Sequence, residues 1–174
     1  DMGGTSFDVC VGDRGGGREI AQASVAGLPV RVPMSELRTI SAGGGSIARI
    51  DDIYRTIKVG PDSAGSDPGP ACYDRGGLKP TVTDTDLLLG YLDPDGYADG
   101  SITLNPKRAK FALEDLCDDM DMALIDVAKL IKRRVDGDMA VGLNSELSSR
   151  GYSTSEFTLL SYGGNGPLHC CGIA

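Results

Sequence analysis

The chain has 174 residues, 40% of them hydrophobic and 24% charged. That is enough apolar material for one packed domain and rules out wholesale disorder. A net charge of −8, no Trp and 5% aromatic residues argue against docking on nucleic acid or on an anionic membrane.

In chain order, Thr5–Gly12 is β-branched and apolar enough for a strand, 13–17 is a turn, and 18–27 resumes as a second strand. The expectation is a β-hairpin with the loop Asp13–Gly17 exposed. Residues 27–77 are rich in Gly and Pro but carry Ile47, Ile50, Ile53, Ile57 and Val59 at intervals. This stretch is expected to be ordered and irregular. "PTVTDTDLLLGYL" opens a helix that Thr83 or Asp84 can cap, with Leu87, Leu88 and Tyr91 as its buried stripe. A second helix opens with Asn105 as cap and Pro106 in the first position; Ala109, Ala112, Leu113 and Leu116 keep its period. A longer helix runs from about 121 to 149, weakened or bent at Gly137 and Gly142. Ser153 and Glu156 match a capping box around one short turn. "FTLLSY" reads as a strand, "GGNGP" breaks it, and "LHCCGIA" opens a last helix. The chain opens on Asp1 and closes on that helix start, so the expectation is a piece of a larger protein. No apolar run reaches the roughly 20 residues of a membrane span.

The opening "DMGGTSFD" carries chemistry. Gly3 and Gly4 permit a tight turn with no Cβ to obstruct a phosphate, and Thr5 and Ser6 add N–H and O–H donors to the same concavity. Carboxylates beside such a cradle repel an anion unless a hard cation intervenes. Asp1 and Asp8 therefore make sense beside Mg²⁺ or its waters, or in positioning an attacking water. An ordinary glycine turn capped by an Asp is the alternative. In "FTLLSYGGNGPLH", Gly163, Gly164 and Gly166 would let a flat ligand such as a purine or its ribose approach; a plain strand-to-helix turn is the alternative there.

Five cysteines, none in a Cys-x-x-Cys pair, and one histidine argue against a zinc site of ordinary spacing. Reduced thiols in a cytoplasmic protein are the simplest reading. His169 either reaches a substrate or metal or is a partly buried helix residue. Cys72 could be a nucleophile but has no basic partner nearby, so it reads with Cys170 and Cys171 as inert packing; Asp115, Asp118, Asp119 and Asp121 could suggest a cation site but read as a solvated helix end.

Two glycine turns flanking a helical insertion resemble the second half of the actin-like ATPase fold. "GGGSIARID", "VGPDSAGSDPGPACYDRGG" and "PTVTDTDLLLGYL" are similar to the hydantoinase A/5-oxoprolinase family, whose relatives include ATP-dependent acetone and acetophenone carboxylases. The resemblance covers nearly the whole chain, least well over 93–140. It implies an α/β fold: the second lobe of an actin-like, ribonuclease H-like ATPase with a Gly/Pro-rich and helical insertion. The expected division is 1–30 as the phosphate-2 hairpin, 31–120 as the insertion, and 121–174 as the return to the core. It places Asp1, Gly3, Gly4 and Thr5 in the second phosphate-binding turn and Gly163, Gly164 and Gly166 in the adenosine turn. Gly43–Ser46 matches an inner glycine loop of underivable role. ATP and Mg²⁺ are the implied cofactors, with Asp1 toward the metal. The other lobe and a second large subunit are the implied partners, and a cyclic amide or a ketone the substrate.

Three activities follow from the resemblance. The leading one is hydrolysis of a cyclic amide through phosphoryl activation of its carbonyl. The alternatives are a ketone carboxylase subunit and a nucleotide-binding module without catalysis. A sugar or acetate kinase of the same fold is disfavoured by "VGPDSAGSDPGPACY".

Overall fold

Antiparallel pairing organises the first third of the chain. In the computed structural model, which describes every residue except Arg14, Gly15, Arg18 and Ala26, β1 (Phe7–Val9) pairs with β8 (Arg38–Ile40), Phe7 facing Ile40 and Val9 facing Arg38. Between them, β2 (Gly12–Asp13) and β3 (Gly16–Gly17) make a short hairpin. Beyond it, β4 (Glu19–Ile20) pairs with β7 (Met34–Ser35), and β5 (Ala23–Val25) with β6 (Leu28–Val30). The expected partnership of 5–12 with 18–27 is therefore corrected. The physical reason is the core: Phe7 and Val9 are buried, and Ile40 packs on the cluster they share with Met2, Ala42 and Val82. In the nearer stretch Ile20 is committed elsewhere, facing Met34 of β7. The loop 13–17 is narrowed by the β2–β3 hairpin; Gly16 and Gly17 are exposed, and Arg14 and Gly15 lie outside the described residues.

The Gly/Pro-rich stretch holds more regular structure than its composition suggests. β9 (Ser46–Ile50) and β10 (Ile57–Ser63) pair antiparallel, with Ile57 opposite Ile50 and Val59 opposite Ala48. Ile57 is buried, but Ile53 stands 81% exposed at the turn. α1 (Val82–Leu88) is capped by Thr81, not by Thr83 or Asp84. Thr81 is extended at φ −121°; Asp84, three residues on, closes a capping box by accepting from Thr81 N at 2.9 Å. Asp84 also accepts the N–H groups of Ala71 (3.3 Å) and Cys72 (2.7 Å), which ties a 3₁₀ turn at Ala71–Tyr73 to α1. Leu87 is buried as expected, whereas Tyr91 is half exposed.

α2 (Pro106–Met120) starts as anticipated: Asn105 accepts from Lys107 N at 3.1 Å and Pro106 takes the first position. It stops at Asp121, whose φ of 51° is left-handed, so α3 (Leu124–Ser149) begins three residues later than expected. α3 is unbroken. Gly142 is a packing notch in it, because a Cβ there would overlap the Ile40 side chain of β8. α3 joins two apolar clusters. Val127, Ala128 and Ile131 pack with Leu113, Leu116, Ala48 and Ile57; Val135 and Met139 pack with Met2, Phe7, Val9 and Val82. A capping box at Ser153 and Glu156 frames the short turn Thr154–Glu156. Residues 157–162 are the correction at this end: they form no ladder. A groove of about 620 Å³, lined by Phe7, Val9, Leu143, Leu160 and Tyr162 among others, borders them, so their backbone finds no strand among the described residues to pair with. α4 (Gly166–Ile173) follows.

Candidate functional site

Three glycine segments distant in sequence meet at the start of the chain. Gly3 N donates to Ser6 O at 3.1 Å, closing the first turn. Met2 bridges to the second: its N–H donates to Tyr162 O at 3.2 Å and its carbonyl accepts from Asn165 N at 2.9 Å. The Asn165 side chain completes the join, Nδ2 donating to Gly3 O at 3.0 Å. The inner glycine loop supports both turns. Gly44 N and Gly45 N donate to Gly3 O and Gly4 O at 3.0 and 2.7 Å, and Thr83 N and Oγ1 both donate to Gly44 O, at 2.8 and 2.9 Å. Ser46 Oγ accepts from Gly43 N at 2.9 Å. A loop with no role derivable from sequence is thus the backing on which the first turn rests.

Not every glycine here is demanded by packing. A Cβ at Gly3, Gly4 or Gly164 meets nothing within 4 Å, and none of the three has a left-handed φ. Among the described residues, no hydrogen bond uses the N–H groups of Gly4, Thr5 or Ser6. Gly163 differs: its φ is +91° and a Cβ would overlap the Asp1 carboxylate and lie 2.7 Å from Met2 O. At Gly166 a Cβ would come within 2.9 Å of Ser161 Oγ. Asp1 is therefore seated against the second turn while belonging to the first. Asp8 stands on β1, where its carboxylate accepts from Thr39 Oγ1 at 2.5 Å and from Ser6 Oγ at 3.4 Å. Its main chain is tied to Asp1, Asp8 N donating to Asp1 O at 2.7 Å. Asp1, Gly3, Gly4, Thr5, Ser6, Asp8, Gly163, Gly164 and Gly166 thus lie in one neighbourhood.

A family model described as hydantoinase/oxoprolinase matches residues 1–174. The chain belongs to that family. It is similar to the acetophenone carboxylase gamma subunit of Aromatoleum aromaticum, 42% identical over 99% of this chain and 24% of the relative. The caprolactamase subunit alpha of Pseudomonas jessenii is 38% identical over 100% and 25%. Among solved structures, a nucleotide-free acetone carboxylase superposes with a TM-score of 0.88 at 35% identity, over 99% of this chain and 24% of that one. The ATP-dependent caprolactamase from Pseudomonas jessenii gives 0.85 at 38% identity, over 99% and 25%. The chain spans about a quarter of the length of these relatives.

This hydantoinase/oxoprolinase chain also holds a buried ionic cluster. Asp86 from α1, Lys132 and Asp136 from α3, and His169 from α4 are all buried. His169 is more enclosed than a partly buried helix residue, and its neighbours are protein carboxylates. Burial alone would lower its pKa, but hydrogen bonds to Asp136 and then Asp86 outweigh that and leave it raised. The cluster was not legible in sequence. A lone histidine was its only flag, since Asp86 and Asp136 lie 83 and 33 residues from it.

The thiols agree with an inert reading at one site and depart from it at another. Cys72 is buried, and burial, followed by the Asp84 charge, pushes its thiol far above the ordinary range, so it is no nucleophile at neutral pH. Cys171 is exposed, contrary to the expectation of packing. No group of three or more His, Cys, Asp or Glu among the described residues could enclose a metal, the acidic run at 115–121 included. No helix among them is long and apolar enough to cross a membrane.

Proposed function

We propose that this chain forms the phosphate-2 and adenosine side of an ATP site, in an enzyme that hydrolyses cyclic amides by phosphoryl activation of a carbonyl. The observation that carries this is the pair of joined turns in which Gly3, Gly4 and Gly164 face open space. Glycine at those points answers to no contact within the chain, which is what a closely approaching ligand requires. The N–H groups of Gly4, Thr5 and Ser6 would hold phosphate oxygens, and the Gly163–Gly166 turn would leave room for the adenosine. The actin-like second lobe and the division at 30 and 120 belong to this proposal, as do a first lobe and a second large subunit as partners.

The residues fit a magnesium ion as well as a nucleotide. Asp1 and Asp8 are hard oxygen donors, too few to enclose an ion alone, which suits a metal that keeps its waters and shares phosphate oxygens. When bound, Mg²⁺ supplies neutralisation of phosphate charge. Asp1 would orient the metal or hold the attacking water, while Asp8, anchored by Thr39 and Ser6, would accept a proton from a water in the site. The glycine N–H groups stabilise negative charge without reorganising, because their turn is already braced from behind by Gly44 and Gly45.

A ketone carboxylase is the second reading, favoured by the 42% identity to an acetophenone carboxylase subunit. Both readings share ATP-dependent activation of a carbonyl oxygen or bicarbonate. Titration of the intact protein with ATP tests the common step: micromolar affinity with Mg²⁺-dependent hydrolysis supports it, and binding without turnover points to a non-catalytic module. Asp1→Asn is expected to spare affinity and slow hydrolysis at least ~10-fold; unchanged turnover removes Asp1 from the mechanism.

A further inference from the structure

Three residues down α4 from Gly166, His169 is held from both sides. Its Nδ1 lies 2.6 Å from Asp136 Oδ1 and its Nε2 3.1 Å from Asp86 Oδ2. Two ring nitrogens each facing a carboxylate oxygen both need a hydrogen, so the ring is an imidazolium. Lys132 Nζ donates to Leu168 O at 3.0 Å and sits 3.5 and 3.8 Å from Asp136 and Asp86. Its 3.1 Å approach to His169 Nδ1 is then a meeting of two donors, held together by the carboxylates around them. Two carboxylates and two cations balance, as buried charges must.

This cluster is the main attachment of α4. The buried residues of that helix are Gly166 and His169, and Ile173 adds partial packing. Gly172 clears space for the clamp, since a Cβ there would overlap the Asp136 carboxylate. Directly before α4 stands Asn165, which bonds Met2 O and Gly3 O. The clamp therefore holds the helix whose first turn carries the join between the two glycine turns.

We infer that His169, as an imidazolium gripped by Asp86 and Asp136, is a positioning residue that keeps the Gly163–Gly166 turn locked against the Gly3–Gly4 turn, so that nucleotide affinity falls as pH rises. This rests on the nucleotide reading of those turns. The groups facing the ring are Asp86 from α1 and Lys132 and Asp136 from α3. Tyr91, just past α1, lies under Lys132, 4.8 Å from Nζ to the ring centre. On α4 itself Cys170 and the exposed Cys171 follow the histidine. The direction follows from the raised pKa. The clamp is complete below the ordinary histidine range and is lost as pH climbs through the raised folded value.

The test is Mg²⁺–ATP affinity of the intact protein from about pH 6 to about pH 10, in the native sequence, Asp136→Asn and Lys132→Met. The native protein is expected to lose about tenfold in affinity across one titration, a loss of about 1.4 kcal/mol. Asp136→Asn removes a stabilising carboxylate and moves the midpoint to lower pH. Lys132→Met removes an opposing cation and moves it higher. The nucleotide's own titration is common to all three and cancels. Shifts in these opposite directions support the inference, and if one variant does not fold the other still carries its sign. Binding with unmoved midpoints overturns it and leaves the nucleotide reading intact. No ATP binding by the native protein at any pH overturns both.

Discussion

A Cβ added at Gly3, Gly4 or Gly164 meets nothing within 4 Å, whereas one added at Gly43 lies 2.5 Å from Thr5 N and 2.6 Å from Gly4 C. The two sets sit back to back. Gly43–Gly45 is walled in because it carries the first turn on its own backbone, through the bonds to Gly3 O and Gly4 O. The first turn's outer side is open. One residue type thus answers two different demands a few ångströms apart: close approach of backbone to backbone behind, and unobstructed space in front. The difference teaches that glycine content alone does not mark a ligand site. What points to one is glycine that the fold itself does not need, gathered in turns that meet, as at Gly3, Gly4 and Gly164.

The sharpest way to break this comparison is to substitute on the closed side. A Cβ at Gly44 would overlap the Asn165 amide and stand 2.7 Å from Thr83 Oγ1. Gly44→Val is expected to cost about 3 kcal/mol, because two side chains held by hydrogen bonds, Asn165 and Thr83, must both move. Chemical denaturation of the intact protein reads this directly. A folded Gly44→Val protein of native stability would show that the wall behind the turn is soft, and the distinction between the two loops would fall.

The open side should behave in the opposite way. Gly4→Val adds a branched side chain into space the chain does not fill, so stability is expected to change by less than about 1 kcal/mol. ATP affinity is expected to fall ~100-fold, about 2.7 kcal/mol, because the side chain occupies the position of a phosphate. Equilibrium unfolding and nucleotide titration of the same preparation separate the two numbers. A variant that binds ATP like the native protein would detach the turn from the nucleotide.

These contrasts also show how far the sequence could be read. Signals confined to a few neighbouring residues survived intact: Asn105 with Pro106, the Ser153–Glu156 box, and the apolar faces of α2 and α3. Both glycine turns were legible because each is a contiguous string, and so was the family. Pairing was not. β1 takes β8 and not the nearer 18–27, since the choice is made by the core that Ile40 can join, a three-dimensional fact. "FTLLSY" has the composition of a strand, but a strand is defined by the backbone beside it. Among site residues, Asn165 was hidden inside its glycine string, and Gly44's purpose depends on Thr83, 39 residues away.

The mildest change sharpens the comparison most, because it removes bulk as a variable. Gly164 is open to space like Gly4 but sits in the second turn, next to Gly163, whose left-handed φ of +91° already sets the bend. Alanine at 164 needs no left-handed backbone and meets no neighbour within 4 Å. The loss of unfolded-chain entropy should leave stability unchanged or raised by about 0.5 kcal/mol. If the turn faces adenosine, one methyl group there should weaken ATP binding by only about 3-fold, with no effect on a ligand that lacks the base, such as inorganic triphosphate. Equal weakening of both ligands would place Gly164 beside the phosphates and merge the two turns into one cradle. No weakening of either would mean that its open face looks away from the nucleotide, leaving Gly3 and Gly4 as the whole of the contact.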